Sequence, residues 1–425
     1  MANTYLTRTF GSAGNRQSWT WSGWIKKSVI YNSTSSSDRE VWFGGYTASS
    51  NTEWLEFGTQ GDAFYFTTSG ISSSGNRLMR DPNGWFHAVV TYDGSNLKFY
   101  YNNELDFNNT QLSGDRGINV AGVHTIGAVA TNQSIRRFNG VMSHVHFVDG
   151  AILSPTVFGE TDSTTGEWKI ITNPTVPSYG TNGFFILKDG NSVTDQSGNS
   201  NNFTVSGGTL TKTEDCPSNC FATVNPLTNS NVTYANGNLT ITTGNDVLST
   251  LGVTSGKWYW EGKADAISGS SHWGIAGTTN SSNDGGQIYS GTGTNSSYIW
   301  FRNNDISVRN GTGISNANVT SSHPGSISVN DIIGTALDLD SATKNVTFYY
   351  NGSNVGNVTF DYDNSIPIFA FFRMNSGNTS SINFGNGYFG TTAVSSAGTN
   401  ASNNGIFEYD VPTGYTALST KGLNL

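Results

Sequence analysis

A chain of 425 residues has room for two or three domains, each with its own core, and a net charge of −9 with no offsetting basic stripe excludes phosphate backbones as partners. Only 12% of residues are charged, about half the usual share, while aromatic residues make up another 12% and glycine fills 51 positions. That balance supplies ample apolar surface to bury and argues for a rigid β-protein with polar loops over a disordered chain.

No apolar run approaches the roughly 20 residues that span a bilayer, and the opening Met1-Ala-Asn-Thr-Tyr-Leu-Thr-Arg8 lacks the charged and apolar regions of a secretory signal. The expectation is a protein that stays in the cell that makes it, or leaves by a route other than secretion.

From Tyr5 to Lys27 the alternation around Trp19, Trp21 and Trp24 predicts an opening strand with its Trp side chains in a core. Short strands at 40–45, 53–57 and 62–67 follow at a spacing of roughly ten residues, as in all-β sandwiches. Trp85 to Asn103 then reads as a β-hairpin: an apolar strand reaches Asp93-Gly94, turns, and returns rich in Phe and Tyr. Strands at 124–129 and 138–150 are expected to close the first sheet pair. The hairpin pattern recurs at Ile332 to Gly352, turning at Asp340-Ser341, where short polar side chains bond the local backbone. Two such hairpins so far apart predict two β-sandwiches in one chain.

Thr20-Trp-Ser-Gly-Trp-Ile-Lys26, then Trp85 to Gly94, then Phe138-Asn-Gly-Val-Met-Ser-His-Val-His-Phe-Val-Asp-Gly-Ala-Ile-Leu-Ser-Pro155 resemble, in that order, the laminin-G-like, concanavalin A-like jelly roll. More narrowly they are similar to its version in virion proteins of marine bacteriophages. The resemblance covers residues 1–155 and runs on to Asp162. Residues 156–225 read as a structured connector with short strands. Within it, Asp195-Gln-Ser-Gly-Asn199 is similar to a stretch found beside laminin-G-like sandwiches, and Cys216 to Phe221 is expected to pin the connector to one of the domains. Residues 226–425 resemble a SPRY sandwich with a C-terminal segment: Gly256 to Glu261, His272 to Gly277, the second hairpin, Ile366 to Phe371 and Ile382 to Gly385 fall in the SPRY order. The Ser/Asn/Gly-rich stretch 390–406 departs from that pattern and is expected to form an exposed loop. The fold expected is therefore all-β, two concanavalin A-like/jelly-roll sandwiches joined by a connector.

Chemistry is sparse. The sandwich glucanases carry Glu-x-Asp-x-x-Glu on one strand, and no such run occurs here. Asp338 and Asp340 share a strand face and read as turn-bracing or solvent-facing groups before a catalytic pair. His144 and His146 read as a solvent-facing pair before a metal site. Cys216 and Cys220 suit either a short-loop disulfide or two reduced thiols, and spacing does not decide between them. Sequons such as Asn32-Ser-Thr and Asn345-Val-Thr reflect composition in a chain without a secretory signal. No phosphate loop and no nucleophile elbow is present. The laminin-G-like resemblance leaves room for calcium held by loop Asp and carbonyl groups, with Asp149 and Asp162 as candidates.

What remains is recognition by surface loops. The stretch from Asn280 to Arg302 supplies Asp284, Tyr289, Trp300 and Arg302 as candidate ligand-binding residues. Tyr298-Ile-Trp-Phe301 also alternates like a buried strand, so Trp300 reads as core before sugar platform, and Tyr289 is the better candidate. The resemblance implies a non-enzymatic virion structural protein, assembled in the host cytoplasm and displayed on the particle as capsid decoration or tail appendage. Its partners would be other virion proteins or a host-surface glycan, with no nucleic acid and no membrane insertion. With no coiled-coil stalk ahead of Trp19, docking through the sandwich surfaces is favoured over a long fibre, and a trimer is one assembly open to it. The alternative is a glycan-binding lectin of a tail fibre.

Overall fold

The computed structural model describes residues 4–31, 35–47, 53–188, 193–244, 246–277, 296–302, 305–310, 313–315, 319–321, 325–360 and 367–424. Among them the ordered elements are strands and three short 3₁₀ turns, and no helix is long and apolar enough to cross a membrane. The chain divides into two compact units, Met1–Lys212 with Cys216–Ser218, and Thr213–Asp215 with Asn219–Leu425.

The first unit contains β1 (Tyr5–Thr9), β2 (Trp19–Lys27), β3 (Arg39–Tyr46), β4 (Trp54–Gln60), β5 (Ala63–Thr68), β6 (Ile71–Leu78), β7 (Phe86–Tyr92), β8 (Leu97–Tyr101), β9 (Glu104–Asn109), β10 (Val123–Ile126), β11 (Gly140–Asp149), β12 (Gly159–Thr161), β13 (Trp168–Ile170), β14 (Phe184–Ile186) and β15 (Thr204–Ser206). They form a seven-stranded sheet, β15-β1-β10-β3-β4-β5-β6, and a six-stranded sheet, β14-β11-β2-β7-β8-β9. One core lies between the sheets, with Trp19, Trp21 and Ile25 of β2 meeting Trp42 and Phe43 of β3, Phe57 of β4 and Phe64 of β5. Phe64 stacks on Phe99 at 4.2 Å between centroids, so the returning strand of the first hairpin is locked to the opposite sheet. Two strands of the expected connector belong to these sheets: β14 pairs with β11 and β15 with β1.

Trp24 departs from the expected common face. On β2 it sits one step out of phase with Trp19 and Trp21, because side chains alternate along a strand. Its ring stacks on His87 at 5.0 Å, and the ring of Trp168 of β13 lies near-parallel to that imidazole with centroids 6.0 Å apart. It is buried all the same, on the outward face of the six-stranded sheet under the 155–188 segment.

The second unit contains β16 (Thr233–Ala235), β17 (Thr240–Thr242), β18 (Val247–Val253), β19 (Lys257–Ala266), β20 (Ser271–Gly277), β21 (Ser296–Arg302), β22 (Asp305–Asn310), β23 (Gly313–Ser315), β24 (Val319–Ser321), β25 (Ile332–Asp338), β26 (Lys344–Tyr350), β27 (Ser353–Phe360), β28 (Ile368–Met374) and β29 (Thr379–Asn383). One sheet runs β16-β17-β29-β19-β25-β26-β27-β24 and the other β18-β28-β20-β21-β22-β23. Trp258, Trp260, Trp273, Ile299, Phe301, Phe348 and Phe372 fill the space between them. The chain's last stretch covers the outward face of the larger sheet, where Phe407, Val411 and Ala417 pack on Tyr259 and Ala336. The Ser/Asn/Gly-rich stretch before Phe407 is largely exposed, as expected.

Candidate functional site

The two hairpin turns are built alike, and this settles the role of Asp338. Asp93 accepts backbone N–H bonds from Ser95 and Asn96 at 3.0 and 2.7 Å. Asp338 accepts them from Asp340 and Ser341 at 3.0 and 2.9 Å, and its other oxygen pairs with Lys257 at 2.9 Å. Asp340 in turn accepts from the Gly256 N–H at 2.7 Å. Both carboxylates of the expected pair are thus committed to the turn and its neighbour. Asp338→Asn is expected to lower stability by about 1–2 kcal/mol, read by chemical denaturation, through loss of the charged acceptor.

His144 and His146 are not solvent-facing, contrary to expectation. A register shift between Ser143 and His146 interrupts β11, and His144 takes a positive φ of 49°. His144 Nδ1 meets Ser143 Oγ at 2.7 Å, while His146 Nδ1 meets the Tyr179 hydroxyl at 2.9 Å and its ring stacks on Phe185 at 3.9 Å. The segment after β11 folds back over this face and buries both rings. His87 lies under the same cover. Trp168 donates its indole N–H to His87 Nδ1 at 3.2 Å, which leaves the ring proton on Nε2, facing Ser22 Oγ at 2.8 Å. A general base needs a free lone pair toward the hydroxyl. Here the lone pair is turned to tryptophan, and burial drives the His87 pKa down to about 3, so the Ser22–His87 contact is a packing device.

The calcium candidates are also occupied by protein donors. Asp149 accepts from Asn15 N, Asn119 Nδ2 and Asn182 N at 2.7, 2.6 and 3.1 Å. Asp162 accepts from the N–H groups of Thr164 and Thr165 and pairs with Lys169. Among the described residues no group of three or more His, Cys, Asp or Glu side chains is placed to hold a metal. Cys216 and Cys220 are not joined by a disulfide: the Cys216 thiol lies 3.3 Å from Ser218 Oγ, and Cys220 is buried.

Asp284 and Tyr289 lie outside the described residues. Trp300 lies in β21 opposite Gly274 and Ser307, and Arg302 lies in the same strand opposite His272 and Asp305. The register adds two residues that the sequence reading missed. His272 of β20 is flanked by Arg302 on one side and by Arg373 of β28 on the other. Their neighbours Phe301, Trp273 and Phe372 face the core, so this row lies on the outward face of the six-stranded sheet. Two strand spacings put the guanidinium-bearing positions roughly 10 Å apart across the sheet. Burial, with both arginines adding to it, pushes the His272 pKa down to about 3, so the imidazole is neutral at pH 7. Arg373 pairs with Asp246 at 2.5 Å, and both groups remain partly open to solvent. Cations separated along the sequence but adjacent across strands leave no local signature, which explains why only Arg302 was picked out.

Residues 2–158 match the family described as the concanavalin A-like lectin/glucanases superfamily, and residues 257–387 match the SPRY domain family. The chain thus carries a concanavalin A-like domain followed by a SPRY domain, in the expected order. No curated protein matches it. Among solved structures it is similar to the PSpry domain of TRIM65, at 16% identity over 38% of this chain and 91% of that one with a TM-score of 0.28. It is also similar to a heptameric SAP-like pentraxin from Limulus polyphemus, at 13% identity over 48% and 87% with a TM-score of 0.31. A third is the SPRY domain of human HERC1, at 17% identity over 37% and 96% with a TM-score of 0.28.

Proposed function

We propose that this chain is a non-enzymatic binding protein carried on the surface of a phage particle, as capsid decoration or tail appendage, where its sandwich surfaces hold other virion proteins. Two domains of binding type in one chain support the binding role, and the likeness of residues 1–162 to marine phage virion proteins supports its setting. The observation that carries the non-enzymatic reading is the internal commitment of Ser22–His87 and of Asp338, the groups best suited to chemistry. Immuno-electron microscopy of the particle, with stoichiometric copy number per virion and an assembly state measured in solution, tests the placement. A protein absent from purified particles overturns it.

A second reading, host-glycan recognition, is favoured by the Arg302–His272–Arg373 row, whose cations suit a carboxylate or sulfate on an acidic sugar. A glycan array read with the wild type, Arg302→Ala, Arg373→Ala and Tyr289→Ala separates the two. Specific binding lost on any of these substitutions supports recognition, and no binding alongside full incorporation into particles leaves the structural role alone. Polysaccharide cleavage lost on Asp338→Asn would overturn the non-enzymatic reading.

A further inference from the structure

The core between the first unit's sheets ends at a cluster of charged groups. Lys27 closes β2 with the same alternation as Trp21 and Ile25, so its side chain enters the space between the sheets. The groups it meets belong to the opposite sheet: Glu40 near the start of β3, and Asp62 in the turn between β4 and β5. Lys27 Nζ lies 2.6 Å from Asp62 Oδ1 and 3.8 Å from Glu40 Oε2. Exposure is 1% for Lys27, 0% for Asp62 and 1% for Glu40. Ionisable groups of this kind are almost never so fully buried unless paired, and withdrawing an ion pair from water costs about as much as its attraction returns.

We propose that Lys27 and Asp62 join in an intramolecular amide bond that staples the two sheets of the first unit together, with Glu40 moving the protons. The reacting forms are the neutral amine and the carboxylic acid, which a single proton transfer within the pair generates. With the nitrogen already on Oδ1, Asp62 Cγ is the next atom in reach, and the two partners are held by strands instead of meeting by diffusion. The Nζ lone pair attacks Cγ to give a tetrahedral adduct. Glu40 takes a proton from the nitrogen and delivers it to the departing hydroxyl. The amine and the carboxylic acid thus become an amide plus one water, and no oxidant or cofactor is required.

Glu40 suits that role because burial raises its pKa to about 7 against the pull of Lys27, so it holds and releases a proton near neutrality. Its own position is fixed by the Asn139 N–H at 3.0 Å and the Thr59 hydroxyl at 3.4 Å. The Tyr31 N–H reaches both Asp62 oxygens at 3.0 and 3.1 Å, and Arg80 Nε reaches Oδ2 at 3.2 Å. These donors stabilise the oxyanion of the adduct. They also stabilise the carboxylate beforehand, so closure is a slow step after folding, unlike the folding itself.

Intact mass spectrometry of the full chain, purified and aged at neutral pH, is expected to show a species lighter than the sequence by one water. A tryptic digest should yield one branched peptide joining the Lys27 and Asp62 segments, with no cleavage after Lys27. Lys27→Arg, which keeps the charge but is a far poorer nucleophile, and Glu40→Gln should retain the full mass, with circular dichroism confirming that each is folded. An aged wild-type chain of full mass, giving linear peptides for both segments, overturns the proposal even if the variants fail to fold. So does a water loss that maps elsewhere. A folded Glu40→Gln chain that closes as fast as the wild type removes Glu40 from the reaction.

Discussion

Lowering the pH from 7 to 5 is expected to weaken the first unit by several kcal/mol while leaving the second almost unchanged. His87 and His124 are pushed by burial down to about 3, and His146 is pushed well below its ordinary value by burial, with His144, His87 and Lys188 adding to it. A histidine kept neutral in the fold but free to protonate near 6.5 when unfolded contributes stability above 6.5 that is lost as the pH falls. At pH 5 the loss is about 2 kcal/mol for each. Buried carboxyls with raised pKa values work in the opposite sense, since their proton is held more tightly in the fold. Glu40, raised to about 7, returns roughly 2 kcal/mol over the same interval, and Glu56, raised by burial against Arg136, adds to that return. Three histidines against these carboxyls leave the first unit a net loser. In the second unit His272, at about 3, is matched by Glu261, raised to about 7, and the two roughly cancel. Calorimetry at pH 7 and pH 5 should therefore show one transition falling by about 10 °C and the other nearly stationary. His87→Gln, which removes one titrating ring, should reduce the shift of the moving transition and so assign it. Two transitions that fall together would sink the account.

What the sequence made legible was whatever depends on strand period and turn chemistry. The hairpins turning after Asp93 and Asp338 form where expected, with Val90 facing Phe99 and Leu337 facing Val346, because alternation and a short polar turn favour that arrangement. What escaped was whatever depends on a distant segment covering a sheet from outside. Trp24 read as a core residue and His144 and His146 as outward ones, and only the return of Trp168, Tyr179 and Phe185 over them and over His87 makes that face a second interior. Tyr259 and Glu261 in the second unit follow the same logic, under Phe407 and its neighbours. The candidate site divides likewise. Arg302 could be picked out from its own loop, whereas its proximity to His272 and Arg373 exists only across three strands.

The covering of the second unit's larger sheet hinges on one carboxylate, and Glu261→Ala is expected to release it. Glu261 is fully buried on the outward face of β19 and accepts the backbone N–H groups of Glu408 and Tyr409 at 2.9 Å each, with the Tyr259 hydroxyl at 3.1 Å. These bonds fix the residues flanking Phe407, whose ring meets Tyr259 edge-on at 5.0 Å. Truncation to alanine strands two backbone donors and a hydroxyl beneath the segment, at about 1–3 kcal/mol apiece where burial persists. The segment's apolar contacts alone are few, so it should lift instead of tolerating the loss. The second unit is expected to lose about 3–5 kcal/mol, and proteolysis within 391–405 to accelerate tenfold or more. Glu261→Gln separates the hydrogen bonds from the charge. Its amide keeps one acceptor, so it should be less stable than the wild type at pH 6. The gap should narrow by about 1 kcal/mol by pH 8, because the wild-type carboxyl, raised to about 7, favours the fold below that pH and loses the advantage as pH rises through it. An alanine variant with wild-type melting and an unchanged cleavage pattern would show that the apolar contacts hold the segment without Glu261.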